Sequence, residues 1–199
     1  MTEVTELSLE PQARERILTS AYTLFSRRGI RSVGIDDVVS DAAVAKATLY
    51  RHFGSKNELV LAFMARREQL WTKEWVEAEA RDRGDTAEEQ LLAIFDLFDE
   101  WFQRDDFEGC SFINVLLEMN DRKTSIGRAS AVHLANIRSI VRRLAEEAGL
   151  REPDQFAHSW HILMKGSIVA AGEGDREAAR RGQAMGRLLI AQHRPPRPA

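Results

Sequence analysis

Cysteine is all but absent from this sequence: Cys110 stands alone, so no disulfide closes within the chain and no cysteine-based zinc set exists. A lone thiol fits a reducing compartment, and a cytoplasmic location is expected. Long apolar runs are missing as well, since no stretch approaches the ~20 residues needed to span a bilayer. The opening MTEVTELSLE has neither the basic start nor the apolar core of a secretory leader. Strict apolar-polar alternation, the mark of a half-buried strand, is not found. No G-x-S-x-G elbow, H-E-x-x-H pair or glycine-rich phosphate loop occurs, so no catalytic residue is assigned and an enzyme is not expected. His158 and His161 are spaced to share a metal, but no further ligand accompanies them; neither a metal nor a cofactor is expected. Excess positive charge is lacking too. The 28 Lys and Arg against 31 Asp and Glu leave a net charge of -3, the wrong sign for a protein that coats nucleic acid with its whole surface.

What the chain does have is apolar content, 44% of 199 residues, recurring at helical spacing almost throughout. The expected fold class is all-α, with about nine helices. Pro11, then Ile17, Ala21, Leu24 and Phe25 on one face, and Gly29 beyond the end predict a first helix over about 11–28. Gly34 starts a short second helix, with Asp36 and Asp37 at its positive end. A third follows at about 45–53, with Val44, Leu49 and Phe53 inward. Ser55 and Glu58 form a capping box that opens a long fourth helix reaching about residue 81. A second box, Thr86 to Glu89, opens the fifth, whose Leu91, Ile94, Phe95, Phe98 and Phe102 make a heavy apolar face. CSFINVLLEMN at 110–120 is a short buried helix, and about 125–148 is an amphipathic one stopped by Gly149 with Leu150 beyond it. Pro153 starts the next, GEGD at 172–175 ends it, and the last runs over about 176–191. There Ala178, Gly182, Met185 and Leu189 form a small-residue face suited to close helix approach. Joined by Trp160, Ser167 and Ala171 from the preceding helix, this face is the expected homodimer interface, a four-helix contact between two copies.

Positive charge is concentrated locally. Residues 12–56 carry eight basic side chains against four acidic ones, a local +4, so the remainder sums to -7. Within this stretch, GIDDVVSDAAVAKATLYRHFGSKNEL at 34–59 reads as two short helices around a tight turn followed at once by a capped helix: the parts of a helix-turn-helix. An eight-residue recognition helix is roughly 12 Å long, comparable to the width of a major groove. With Leu49 and Phe53 inward, Lys46, Ala47, Thr48, Tyr50, Arg51 and His52 are left outward, a set rich in donors for phosphates and base edges.

The segment from about Ala13 to Glu68, above all KATLYRHFGSKNEL, resembles the DNA-binding region of the TetR family of transcriptional regulators. The resemblance covers just over a quarter of the chain. It implies base or groove-edge contacts for Lys46, Ala47, Arg51 and His52, and phosphate contacts for Thr48, Tyr50 and Lys56. Two departures stand out: Ala43 replaces the usual turn glycine, and Ala45 replaces the usual Ser or Thr cap, whose loss costs about 0.5–2 kcal/mol. The expected organisation is a flexible arm over 1–10, a helix-turn-helix domain over 11–56, an effector-binding and dimerisation domain over 57–192, and a disordered tail over 193–199.

The resemblance also implies a cavity in the C-terminal part. Its expected lining is Met64, Arg67, Trp71, Phe95, Phe98, Phe102, Phe112, Leu116, His133, Ile137, Trp160 and Met164, with Arg67, His133 and His161 as polar anchors for a largely apolar effector. The expected partners are a palindromic double-stranded operator, that effector and a second copy of the chain, with no membrane. The expected function is a repressor released from DNA by its effector. A helical interaction adaptor, or an activator of the same fold, stands as the alternative.

Overall fold

The computed structural model describes residues 3–119 and 121–196, with side-chain environments from Gln12 onward. Every regular element among them is helical: α1 Glu3–Arg28, α2 Ile35–Asp41, α3 Lys46–His52, α4 Lys56–Arg67, a π-helical segment Glu68–Glu77, α5 Ala78–Arg83, α6 Ala87–Phe102, α7 Ser111–Met119, α8 Ser125–Glu147, α9 Pro153–Gly172 and α10 Ala178–His193. The first helix begins at Glu3, ahead of Pro11, so the residues expected as an arm are helical from there. Of the expected tail, residues 197–199 lie outside the described residues.

The chain divides into two compact units: residues 1–68 with 111–131, and residues 69–110 with 132–199. In the first, α1 buries Ile17, Leu18, Ala21 and Phe25 at helical spacing. It stops at Gly29, whose φ of 76° turns the chain and whose N–H reaches the Phe25 carbonyl at 3.0 Å. Ser55 caps α4 by accepting from Glu58 N at 3.2 Å, while the Glu58 carboxylate takes the Gly54 N–H at 3.0 Å, one residue earlier than a capping box places it. Glu118 of α7 accepts from Arg31 N at 2.9 Å, and its carboxylate fills the space where a side chain on Gly29 would stand.

The stretch expected as one α-helix over 55–81 is three consecutive segments. The π-helical turns follow i→i+5 bonding, which brings Trp71 and Val76, five residues apart, to the same buried side. In the second unit α6 opens on the expected capping box, Glu89 N to Thr86 Oγ1 at 3.3 Å and Thr86 N to Glu89 Oε2 at 2.9 Å. Gly149, φ 66°, ends α8; its N–H reaches the Glu146 carbonyl at 3.0 Å, Leu150 N reaches Ala145 at 3.0 Å, and Leu150 is buried. Helix α10 lies against α6 and α9 with two glycines inward. A Cβ on Gly182 would sit 2.6 Å from Phe95 Cε1, and one on Gly186 2.8 Å from Trp160 Cη2.

Candidate nucleic-acid interface and effector region

The turn between α2 and α3 is a left-handed helix stop built on alanine. Ala43 has φ 50°; its N–H reaches the Ser40 carbonyl at 3.2 Å and Val44 N reaches Val39 at 3.1 Å, the paired bonds of a Schellman motif. Arg16 of α1 donates to the Ala43 carbonyl at 2.9 Å. Ala45 then adopts the extended geometry of an N-cap without any side-chain cap bond, and its carbonyl receives Thr48 N at 2.9 Å and Leu49 N at 3.2 Å. Leu49 and Phe53 are buried, and the Arg14 guanidinium lies 5.1 Å from the Phe53 ring centroid.

The opposite side of α3 is open. Lys46, Ala47, Tyr50 and Arg51 are exposed, whereas Thr48, His52 and Lys56 are half-buried. His52 is less available than its place in the pattern predicts: its Nε2 is shielded, with no hydrogen-bond partner among the described residues. Lys46 Nζ sits 2.8 Å from Asp36 Oδ1 with both side chains well exposed, and this partner holds the Lys46 ammonium above its ordinary pKa. Asp37 takes the Gly34 N–H at 2.6 Å, and that bond, ahead of the nearby Arg28 charge, lowers its carboxyl pKa.

The family model for bacterial regulatory proteins of the tetR family matches residues 17–63, the stretch containing these helices. An uncharacterized HTH-type transcriptional regulator in the lacX 3' region of Lactococcus lactis subsp. lactis is 27% identical over 54% of this chain and 55% of its own length. The HTH-type transcriptional activator FasR of Mycolicibacterium smegmatis is 40% identical over 28% of this chain and 25% of its own. The matches thus span about a quarter to a half of these curated relatives. Among solved structures, the TetR-family regulator SCO4454 of Streptomyces coelicolor superposes with a TM-score of 0.84 at 28% identity, covering 92% of this chain and 96% of its own. The chain belongs to the TetR family. Its kin are transcriptional regulators, not enzymes.

In this TetR-family chain the twelve residues expected around an effector cavity are divided between the units. Met64, Arg67, Phe112 and Leu116 belong to the first. Arg67, buried, donates to Tyr22 OH at 2.9 Å and lies 5.6 Å from that ring, so its guanidinium is engaged within the helix-turn-helix unit. Trp71, Phe95, Phe98, Phe102, His133, Ile137, Trp160 and Met164 belong to the second. There Phe95 packs 5.3 Å from Trp160 and 6.1 Å from Phe98, and Phe98 lies 6.1 Å from Trp71 and 5.7 Å from Phe102. These rings make core contacts with one another. The indole N–H groups of Trp71 and Trp160 are shielded and have no partner among the described residues. A cleft of about 130 Å³ in the second unit is bounded by other residues, Val76, Ala80, Ile94, Ile140 and Leu144, with the Arg143–Glu77 ion pair (2.7 Å) beside them.

The expected dimer face needs correction. Trp160, Ser167, Ala178 and Gly182 are buried within the second unit, Ala171 and Leu189 are half-buried, and of the seven only Met185 is exposed. Small residues on α10 serve close packing inside the subunit. The apolar residues left uncovered are Ile162 (67% exposed) and Val169 (51%) on α9, with Met185 (56%) and Leu188 (72%) on α10. The periodicity did not separate these two faces because both carry apolar residues at three-to-four spacing. His161, named as an anchor, is 3% exposed.

Proposed function

We propose that this chain is a sequence-specific DNA-binding transcriptional regulator that acts as a homodimer, represses from a palindromic operator and is released by a small effector bound in its second unit. The observation that carries the reading is the open face of α3. Lys46, Ala47, Tyr50 and Arg51 face outward while Leu49 packs inward beneath them, on a rod short enough to enter a major groove. Lys56, at the start of α4, is placed for a phosphate, with Thr48 as a second such contact. The uncovered apolar residues of α9 and α10 supply the contact between copies. No helix among the described residues is long and apolar enough to cross a membrane, and the single cysteine is free, both compatible with the cytoplasm.

Relatives carry both regulatory signs. FasR is named an activator, and IcaR of Staphylococcus aureus, 37% identical over 46 residues, is named a negative regulator of the biofilm operon icaADBC. Activation is therefore the second reading, and transcription from a footprinted promoter decides it: added protein lowers the transcript if it represses. The interface itself is tested by footprinting on the chain's own upstream DNA with Arg51→Ala and Lys56→Ala. Lys56→Ala weakens binding to cognate and random duplexes alike and flattens the salt dependence, whereas Arg51→Ala also narrows the gap between them. Equal losses on both DNAs from both variants would remove the division between reading and gripping.

A further inference from the structure

Helices α8 and α9 form an antiparallel hairpin in the second unit, pinned by Arg142 Nε on Asp154 Oδ1 at 2.8 Å. One turn back along α8 from Arg142 is Arg138. One turn on along α9 from Asp154 is His158, followed by His161 and Lys165 on the same helical face. The hairpin therefore gathers four nitrogen-bearing side chains: Arg138 and Lys165 half-buried, His161 only 3% exposed, His158 exposed.

A cation withdrawn from water is ordinarily matched by a carboxylate. Beyond the Arg142–Asp154 contact the pattern stops, and neither Arg138 nor Lys165 has an ion pair or hydrogen bond among the described residues. Burial first, and then the Arg138 charge, lowers the Lys165 pKa. His161 is pushed down to about 3 by burial, then by the charges of Lys165, Arg138 and His158. The group acting on Lys165 in the opposite sense is the buried Cys110 thiol, a weak acid with an ordinary pKa of about 8.5. The same two helices bury Leu134 and Ile137 from α8 and Trp160 and Met164 from α9, so apolar surface flanks the cations.

We infer that the α8–α9 hairpin is a binding site for an organic carboxylate with an apolar body, its anionic head held by Lys165 and Arg138. The inference rests on reading the second unit as the effector half and names the chemistry of that effector: a charge-assisted head contact joined to burial of an apolar tail. A cation kept without a counter-ion costs stability in the free protein and gains its partner on binding.

The full chain is titrated with octanoate, with uncharged octanamide and with inorganic phosphate at constant ionic strength, followed by calorimetry and thermal unfolding. Octanoate is expected to bind and raise Tm, with octanamide and phosphate weaker by about tenfold or more, since one good charged contact is worth that much. Lys165→Met and Arg138→Gln should each weaken octanoate by a similar factor. Lys165→Met should also raise the Tm of the ligand-free protein, which removal of a merely structural lysine would lower. The inference is overturned if octanoate does not bind, if octanamide or phosphate matches it, or if both variants bind it unchanged. Footprinting in the same preparation keeps the two readings apart: octanamide that binds equally and releases DNA sinks the carboxylate but leaves the effector-controlled regulator standing.

Discussion

The Arg16 guanidinium holds the Ala43 carbonyl at 2.9 Å while Ala43 itself stands in the left-handed region at φ 50°. A residue with a Cβ is thus clamped where glycine is ordinarily needed, at the corner that aims α3. Left-handed geometry costs a non-glycine residue roughly 1–2 kcal/mol, and glycine's extra freedom in the unfolded chain offsets about half of that. Ala43→Gly is expected to stabilise the protein by about 0.5–1 kcal/mol. An increase in urea midpoint at unchanged slope checks it; an unchanged or lower midpoint counts against the strain.

Asp36 competes with DNA for Lys46. The 2.8 Å pair is exposed on both sides, so it contributes little to folding, about 0–1 kcal/mol, yet it places a negative charge beside the proposed groove-facing surface. Asp36→Asn should leave stability nearly unchanged while tightening operator binding several-fold at low salt, with a steeper salt dependence. Identical salt slopes for the two proteins would show that Lys46 makes no contact with the duplex.

Burial of His161 predicts acid sensitivity. Its folded pKa of about 3 lies below the 6.5 of the free side chain, so between these values the unfolded chain binds the extra proton. The stabilisation is fully present above pH 6.5 and is lost as the pH falls toward 3, at up to about 1.4 kcal/mol per pH unit. The neighbouring Lys165, Arg138 and His158 charges act in the same direction as burial. Denaturant unfolding from pH 7 to pH 5 should show this slope in the parent chain and a much shallower one in His161→Phe. Parallel slopes would assign the acid loss elsewhere.

Much of the architecture can be read directly from residues. Thr86 and Glu89 announce the start of α6, Gly149 with Leu150 announces the end of α8, and LYRHF places the recognition helix. These are local signals, in which a side chain or a positive φ answers to backbone within a few residues. The direction of α10 is not local. Gly182 and Gly186 admit Phe95 and Trp160, but the same spacing suits contact with a second subunit, and only the position of α6 decides between them. Arg67 had the chemistry of a ligand anchor and was engaged by Tyr22, 45 residues away. The π-helical turns around Trp71 arise from packing a row of large side chains, which no single residue type signals.

The uncovered residues of α9 and α10 lead to a fourth expectation. Leu188→Glu together with Ile162→Glu should convert a dimer to monomers in sedimentation experiments without lowering helix content, since both side chains already face solvent in the subunit. Loss of operator binding should follow, because half-sites about 34–36 Å apart need two linked readers. A double variant that remains dimeric would move the contact to another surface.

Glu118 lies 87 residues beyond the Arg31 amide it receives and fills the space left by the missing side chain of Gly29. The motif that looks most portable in the sequence is therefore not a cassette. A fragment cut after residue 68 would leave the Arg31 N–H without its acceptor and strip the α7 neighbour from α4. Grafting this reading head onto another sensor requires carrying a stretch of downstream chain along with it.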